Sequence, residues 1–285
     1  MNSKAVNIVW LKRDLRSQDH APLLKAECAG IPYLIIYLFE PSRIEYPDTS
    51  QRHLQFVYHS IGNLDKVLSE FNRRVELFYG EAIEVFNYLI KDLDIISVFS
   101  YQESGTQGSW ERDKKIKQFC KSNQIKWKES QRDGILRGIK NREDWNKKWH
   151  LKMHTSVIQN KYTISKETPL EHPFLMPLIL ESQLKEYPYH YQPPGEKNAW
   201  RYLKSFTNQR GFNYQRHISK PMESRMSCSR LSPYLAWGNM SIKQAFQFIG
   251  THPNGTRNNK AFSAMLTRLH WHCHFIQKFE MECRY

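Results

Sequence analysis

Cysteine is scarce in this chain. The 285 residues include five, Cys28, Cys120, Cys228, Cys273 and Cys283, widely spaced and with no Cys-x-x-Cys pair. An odd number at such spacings argues against a disulfide frame and a zinc finger, and the thiols are read as reduced. Long apolar runs are lacking as well. The longest, Ile31 to Phe39, contains Pro32 and falls short of the roughly 18 residues that a membrane span needs. The opening Met-Asn-Ser-Lys-Ala leads straight into a strand-like segment, without the charged head, apolar core and cleavage site of a secretory signal. A cytoplasmic protein with no membrane partner is expected. Internal repeats and low-complexity tracts are absent. Acidic residues thin out in the second half. Residues 1–130 hold 18 Lys/Arg and 17 Asp/Glu, net +1, whereas residues 131–285 hold 24 and 11, net +13. A basic half beside a neutral one points to a polyanion partner, most often nucleic acid. The plainer alternative is a basic surface that serves solubility.

The first 130 residues alternate strand-like and helix-like segments. Strands are predicted at Val6 to Leu11, Tyr33 to Phe39, Val75 to Tyr79, Ile95 to Tyr101 and Ile125 to Glu129. Helices are predicted at Asp19 to Cys28, Ser50 to Phe71, Ala82 to Leu89 and Trp110 to Ser122. The second helix carries Leu54, Val57, Ile61, Leu64 and Leu68 at helical spacing. Five strands with helical crossovers are the pattern of an α/β fold with an open, parallel, Rossmann-like sheet. Residues 131–195 are rich in Pro, Tyr and His around one amphipathic segment, Arg142 to Met153, and read as an interdomain connector. From 196 the pattern is all-helical: Ala199 to Gln209, Leu231 to Trp237, a helix opened by the capping box Ser241-Ile-Lys-Gln244, and Asn259 to Arg284. The chain stops inside this last helix, so it is expected to be a fragment or an unusually short protein.

The segment Ser227-Cys228-Ser229-Arg230-Leu231-Ser232-Pro233-Tyr234-Leu235-Ala236-Trp237-Gly238 carries the most chemistry. Small hydroxylated residues lead into a short helix. Such a corner offers backbone N–H groups, hydroxyls and a partial positive charge to a phosphate or diphosphate. A simple N-cap is the bland alternative. The wording of the segment resembles the flavin signature of the photolyase/cryptochrome family, Thr-Ser-x-Leu-Ser-Pro-Tyr-Leu-x-x-Gly-x-x-Ser. It matches at Ser229, Leu231, Ser232, Pro233, Tyr234, Leu235, Gly238 and Ser241, with Cys228 in place of Thr. A thiol is a poorer hydrogen-bond partner than a hydroxyl. The first loop, Trp10-Leu11-Lys12-Arg13-Asp14-Leu15-Arg16-Ser17-Gln18-Asp19-His20, resembles the family's Trp-Phe-Arg-Arg-Asp-Leu-Arg-x-x-Asp motif. By itself it would read as a polar loop closed by internal ion pairs. Gly134-Ile-Leu-Arg-Gly-Ile with Arg142, Trp145 and Trp149 resembles the family's stretch between its two domains. The resemblance spans essentially the whole chain.

It implies a five-stranded α/β antenna domain at 1–130, a connector at 131–195, and at 196–285 the first part of an all-helical FAD-binding domain. FAD contacts are implied at Tyr214, Cys228, Ser229, Arg230, Leu231, Ser232, Arg268 and His272. An antenna chromophore of unnamed kind is implied for the α/β domain. DNA, as damaged duplex or single strand, is implied at Arg216, Lys220, His270, Trp271 and Phe275, with Trp271 the residue that stacks on the lesion. Arg216 and Lys220 read equally well as part of a solvated loop. His270 and His274, at i and i+4, share a helix face that could bind zinc, but no Glu follows His270 and no third ligand stands at a fixed spacing, so no metal is expected. Where many members carry a Glu three residues before the Trp and an Arg immediately after it, this chain has Arg268 and His272.

Three functions are in play: a light-driven pyrimidine-dimer lyase, which is preferred; a cryptochrome-type photoreceptor without repair activity; and an α/β nucleotide-binding protein with a helical extension. A monomer is expected. The chain by itself is expected to bind FAD weakly or not at all and to be inactive as an enzyme.

Overall fold

A computed structural model of the chain describes residues 4–166, 169–255 and 259–282. The described residues fall into two compact units, those within 4–130 and 158–195, and those within 131–157 and 196–282. The stretch 131–195, expected as a connector, is thereby shared between them.

In the first unit, β1 (Lys4–Leu11), β2 (Tyr33–Phe39), β3 (Val75–Tyr79), β4 (Leu93–Tyr101) and β5 (Lys126–Ser130) form a parallel sheet of order β3-β2-β1-β4-β5. β2 reads Tyr-Leu-Ile-Ile-Tyr-Leu-Phe, with no charged side chain, which suits a central strand covered on both faces. The helices are α1 (Ala21–Cys28), the short α2 (Pro41–Ile44), α3 (Gln51–Leu68), α4 (Ala82–Asp92) and α5 (Gln107–Ser122). Val6, Ile8 and Trp10 of β1 meet Phe86 and Leu89 of α4 and Ile116 and Phe119 of α5 in one apolar core. The neighbouring residues Val9 and Leu11 point to the other face by the strand's period of two, and α1 packs against β1 and β4. The strand order reverses between β1 and β4, so the loops that follow these two strands flank the switch point of a doubly wound sheet.

Residues 158–195 return to this unit. The Asp19 N–H donates to Ile158 O at 2.9 Å, and the Asn160 amide bonds both the backbone N–H and the carbonyl of His20, each at 2.9 Å. A further helix, α6 (Leu178–Lys185), lies in this stretch and packs against α3. Its Leu184 is the buried contact, while Leu178 and Ile179 are exposed, so its sequence carries too weak a stripe to be recognised among prolines.

The second unit is helical: α7 (Trp145–His154), α8 (Glu196–Ser205), α9 (Tyr214–His217), α10 (Pro221–Ser227), α11 (Ser232–Ala236), α12 (Ile242–Gly250) and α13 (Asn259–Glu282). The predicted capping box is present. Gln244 N–H donates to Ser241 Oγ, and Ser241 N–H to Gln244 Oε1, both at 2.9 Å. The predicted end of the last helix at Arg284, and Cys283 with it, lie outside the described residues. α7, α12 and α13 pack together. The 132–142 strand of chain is strapped along α13, because Gln277 bonds Leu136 N at 2.7 Å and Leu136 O at 2.9 Å, and Arg137 pairs with Glu280 at 3.3 Å. Gly134 is required here. A Cβ at this position would stand 2.0 Å from Trp149 Cδ1, while Trp145 Nε1 donates to Gly134 O at 2.9 Å.

Candidate functional site

The loop after β1 is tied down by charge, to itself and to residues around β4 and α5. Lys12 Nζ reaches Asp113 at 2.9 Å, His20 Nε2 meets Asp14 at 2.8 Å, and Arg13 Nε meets Glu103 at 3.1 Å. Arg112 bridges Glu40 at 2.8 Å and Glu103 at 2.6 Å, and Arg43 adds a contact to Glu103 at 3.5 Å. Burial alone would raise the Glu103 carboxyl, but Arg112, Arg43, Arg13 and Lys12 together hold it well below the ordinary range. Asp14 is likewise buried and is held below the usual value, chiefly by the hydrogen bond and charge of His20. The internal ion-pair reading of this loop is therefore the one realised in the fold.

The second candidate is the corner before α11. This helix has five residues, Ser232–Ala236, with Pro233 in its first turn and no side-chain cap, which is shorter than the predicted Leu231 to Trp237. So short a helix has a small dipole, and Pro233 contributes no N–H. Ser232 is exposed, Leu231 is 1 % exposed and Ser229 is buried. Arg230 has φ 59, a left-handed conformation that costs a non-glycine residue about 1–2 kcal/mol. The Ser229 Oγ accepts from the Leu231 N–H at 3.4 Å. What the corner has in place of a strong helix end is a set of cations. Arg210, Arg230 and Arg268 all act electrostatically on Cys228.

Tyr214 is buried on α9, and α9 packs on α13. Burial pushes its phenol up to about 12, with Cys228 adding to the effect and Arg268, a hydrogen-bond partner, opposing it. The Cys228 thiol is also raised by burial, partly offset by a hydrogen bond from Ser224 and by the three guanidiniums. Tyr214, Cys228, Ser229, Arg230 and Arg268 thus come together. The donors around them are guanidinium, phenol and hydroxyl groups, a set that suits a diphosphate. On that chemistry the residues fit the phosphate end of FAD.

Arg268 also stacks its guanidinium 4.3 Å over the Trp271 ring. Trp271 is 42 % exposed and Phe275 61 % exposed, with ring centroids 6.4 Å apart. One face of Trp271 is therefore already covered by a cation of its own helix. His270 turns to a different face, where its ring lies 5.0 Å from Trp145 and 4.7 Å from Trp149. It joins the packing of α7 on α13 and is not gathered with Trp271 and Phe275. His272 is half-buried within the electrostatic reach of Asp133 and Arg132, and burial lowers its pKa. It too lies away from the Arg268–Trp271 stack. Arg216 and Lys220 are exposed on and after α9. Among the described residues no group of three His, Cys, Asp or Glu could hold a metal ion, and no helix is long and apolar enough to cross a membrane.

The residue missed by sequence reasoning is Arg210. It ends a π-helical turn, Phe206–Arg210, that continues α8. In the sequence it is one more basic residue at a helix end before a glycine, a pattern explained well enough by the helix dipole.

The DNA photolyase family model matches residues 7–144. The deoxyribodipyrimidine photo-lyase of Buchnera aphidicola is 23% identical over 282 residues, which is 92% of this chain and 56% of that protein. Cryptochrome DASH of Xenopus laevis is 27% identical over 128 residues, 43% of this chain and 24% of that protein. Among solved structures, a bacterial class III photolyase from Agrobacterium tumefaciens superimposes with a TM-score of 0.78 at 19% identity, covering 99% of this chain and 60% of that one. An archaeal photolyase from Sulfolobus tokodaii, solved with two FAD molecules, gives 0.72 at 20% identity, covering 97% and 60%. The chain spans a little over half the length of these full-length relatives. The photolyase family model thus covers residues 7–144, just under half of the chain, and the chain as a whole shares the fold of the solved photolyases.

Proposed function

We propose that this chain is the larger part of a flavoprotein that repairs pyrimidine dimers in DNA with light. The observation that carries the reading is the meeting of Tyr214, Cys228, Ser229, Arg230 and Arg268 at one corner of the helical unit. In this reading Tyr214, Arg230, Arg268 and the Cys228–Ser232 backbone hold the diphosphate of FAD. A reduced flavin held there would supply light-driven one-electron chemistry for splitting a dimerised pyrimidine. The chain's own task is to bind, orient and exclude water. Trp271 and Phe275 present exposed rings to an unstacked base, an interaction worth about 1–3 kcal/mol per base. A damaged pair leaves the duplex at little cost. Arg216, Lys220 and the net charge of +13 over residues 131–285 support phosphate contacts, and binding should weaken steeply with salt. The α/β unit is the proposed home of an antenna chromophore, and the protein is proposed to act as a cytoplasmic monomer.

Arg268 and His272 favour a second reading, a photoreceptor without repair activity. Arg268 puts a cation over the ring on which a lesion would stack, at a position where the family resemblance implies a carboxylate. The test is illumination of the reduced, FAD-loaded full-length protein with an oligonucleotide carrying a cyclobutane dimer. Restored thymines that are lost in Trp271→Ala support repair. Intact dimers, with a light-induced flavin spectral change still present, support the photoreceptor.

A further inference from the structure

Arg210 is a guanidinium whose neighbours are nearly all carbonyls. Its Nε donates to Ser205 Oγ at 3.0 Å. One terminal nitrogen bonds Met226 O at 3.5 Å and Cys228 O, and the other bonds Tyr202 O at 2.9 Å and Ser229 O at 3.3 Å. These bonds engage all five N–H donors of the side chain. Among the described residues no carboxylate pairs with it. The residue is delivered by the π-helical turn after α8, closed by Gly211 N–H on Phe206 O at 2.9 Å. Turns of this kind occur mostly as single interruptions of α-helices, frequently at functional sites.

The consequence for the loop is geometric. No peptide bond in the described chain is cis, so the C=O and the next N–H point in opposite directions within each peptide plane. With the carbonyls of Cys228 and Ser229 drawn onto Arg210, the N–H groups of Ser229 and Arg230 are turned the other way. Arg230 has φ 59 and Leu231 has φ −82 with ψ −11. A left-handed residue followed by a right-handed one has the form of an anion-binding nest whose N–H groups run from Arg230 onward, so the Arg230 N–H is common to the nest and to the pair turned away from Arg210.

We infer that Arg210 is a positioning residue: it fixes the carbonyls of Met226, Cys228 and Ser229 so that the backbone N–H groups of Ser229 and Arg230 are set in advance for a diphosphate. The inference rests on the flavin reading for the identity of the ligand and on the bonds of Arg210 for the setting of the loop. A lysine would keep the charge but lose the planar fork that spans several carbonyls.

The test uses the full chain with Arg210→Lys and Arg210→Gln, with ADP as the diphosphate probe. Amide hydrogen exchange is read at residues 226–231, and exchange in α12 and α13 of the same unit serves as the folding control. Exchange at Ser229 and Arg230 at least tenfold faster, with ADP affinity at least tenfold weaker in both variants and an unchanged control, supports the inference. Arg210→Lys matching the unsubstituted chain in exchange and affinity overturns it, because charge alone would then suffice. If the unsubstituted chain binds neither ADP nor FAD at millimolar concentration while exchange still responds to the substitutions, the flavin reading fails and the diphosphate part of the inference fails with it. Wild-type binding with both variants unaffected leaves the flavin reading standing and removes Arg210 from it.

Discussion

At the scale of single residues, Glu103 shows how charge organises the α/β unit. Its carboxylate is 4 % exposed and faces Arg13, Arg43 and Arg112. Removing a buried partner leaves cations without compensation, which costs about 3–5 kcal/mol. Glu103→Gln should therefore lower the stability of this unit by about that amount, read from denaturant unfolding. The pH dependence follows from the sign of the shift. The folded Glu103 titrates well below its ordinary value of 4.5, so on acidification the unfolded chain takes up a proton before the folded one does. Stability is present above about 4.5, the model-peptide range for glutamate, and falls as the pH drops toward the folded value. Glu40 works in reverse, since burial raises its pKa despite Arg112. The net slope keeps the sign of Glu103, which faces more cations. A Glu103→Gln protein that is as stable as the parent, with an unchanged acid limb, would contradict this account. The first loop's ion pairs were legible as an option in the run of Lys12, Arg13, Asp14 and Arg16. Their partners Glu103, Arg112 and Asp113 were not, because they lie about a hundred residues away and meet only when β1 and β4 pair.

At the scale of elements, the clearest pH-sensitive seam is α7 on α13. His150 and His270 stack with centroids 6.0 Å apart, and His274 lies 6.5 Å from His270. Trp145 and Trp149 fill the seam, and Arg142 Nη1 contacts His274 at 3.3 Å. Burial first, then His150 and His274, lower the pKa of His270 from 6.5. A depressed folded value means stability that is present above 6.5 and lost as the pH falls through the folded value. Acidification below about 6.5, the reference histidine pKa, should loosen the helical unit, and His270→Leu should flatten that limb. Amide exchange along α13 at neutral and acidic pH measures it, and an equal acid limb in both proteins would refute it. Strands read well from sequence. Tyr33–Phe39 and Val75–Tyr79 have the predicted bounds, because short β-branched and aromatic runs between turn residues leave little latitude. The helices near the corner read less well. Phe206–Arg210 continues the predicted Ala199 to Gln209 helix but as a π turn, and no propensity scale distinguishes the two. The predicted helix from Leu231 begins at Ser232 and ends at Ala236, where Arg132 takes up the Leu235 and Ala236 carbonyls at 3.3 and 3.2 Å.

At the scale of the whole molecule, the sequence divides into a neutral first part and a strongly basic second part, net +1 and +13. That division and the doubly wound sheet are legible in the sequence. The particular membership of the site was less so. Tyr214 and Cys228 come together with Arg268, 40 residues further on, because α9 packs on α13, whereas His270 and His272 turn to other faces of the same helix. Helical periodicity alone assigns faces relative to one another but does not say which face meets which neighbour. The central claim is that the corner at Cys228–Ser232 grips the diphosphate of a flavin dinucleotide. Its most direct test is a titration of the isotopically labelled chain with FAD, followed by amide and side-chain NMR. The account predicts saturable shifts at Tyr214, Cys228, Ser229, Arg230 and Leu231, reproduced by ADP and absent with riboflavin. Shifts confined to the α/β unit, or no saturable response at this corner, would contradict it.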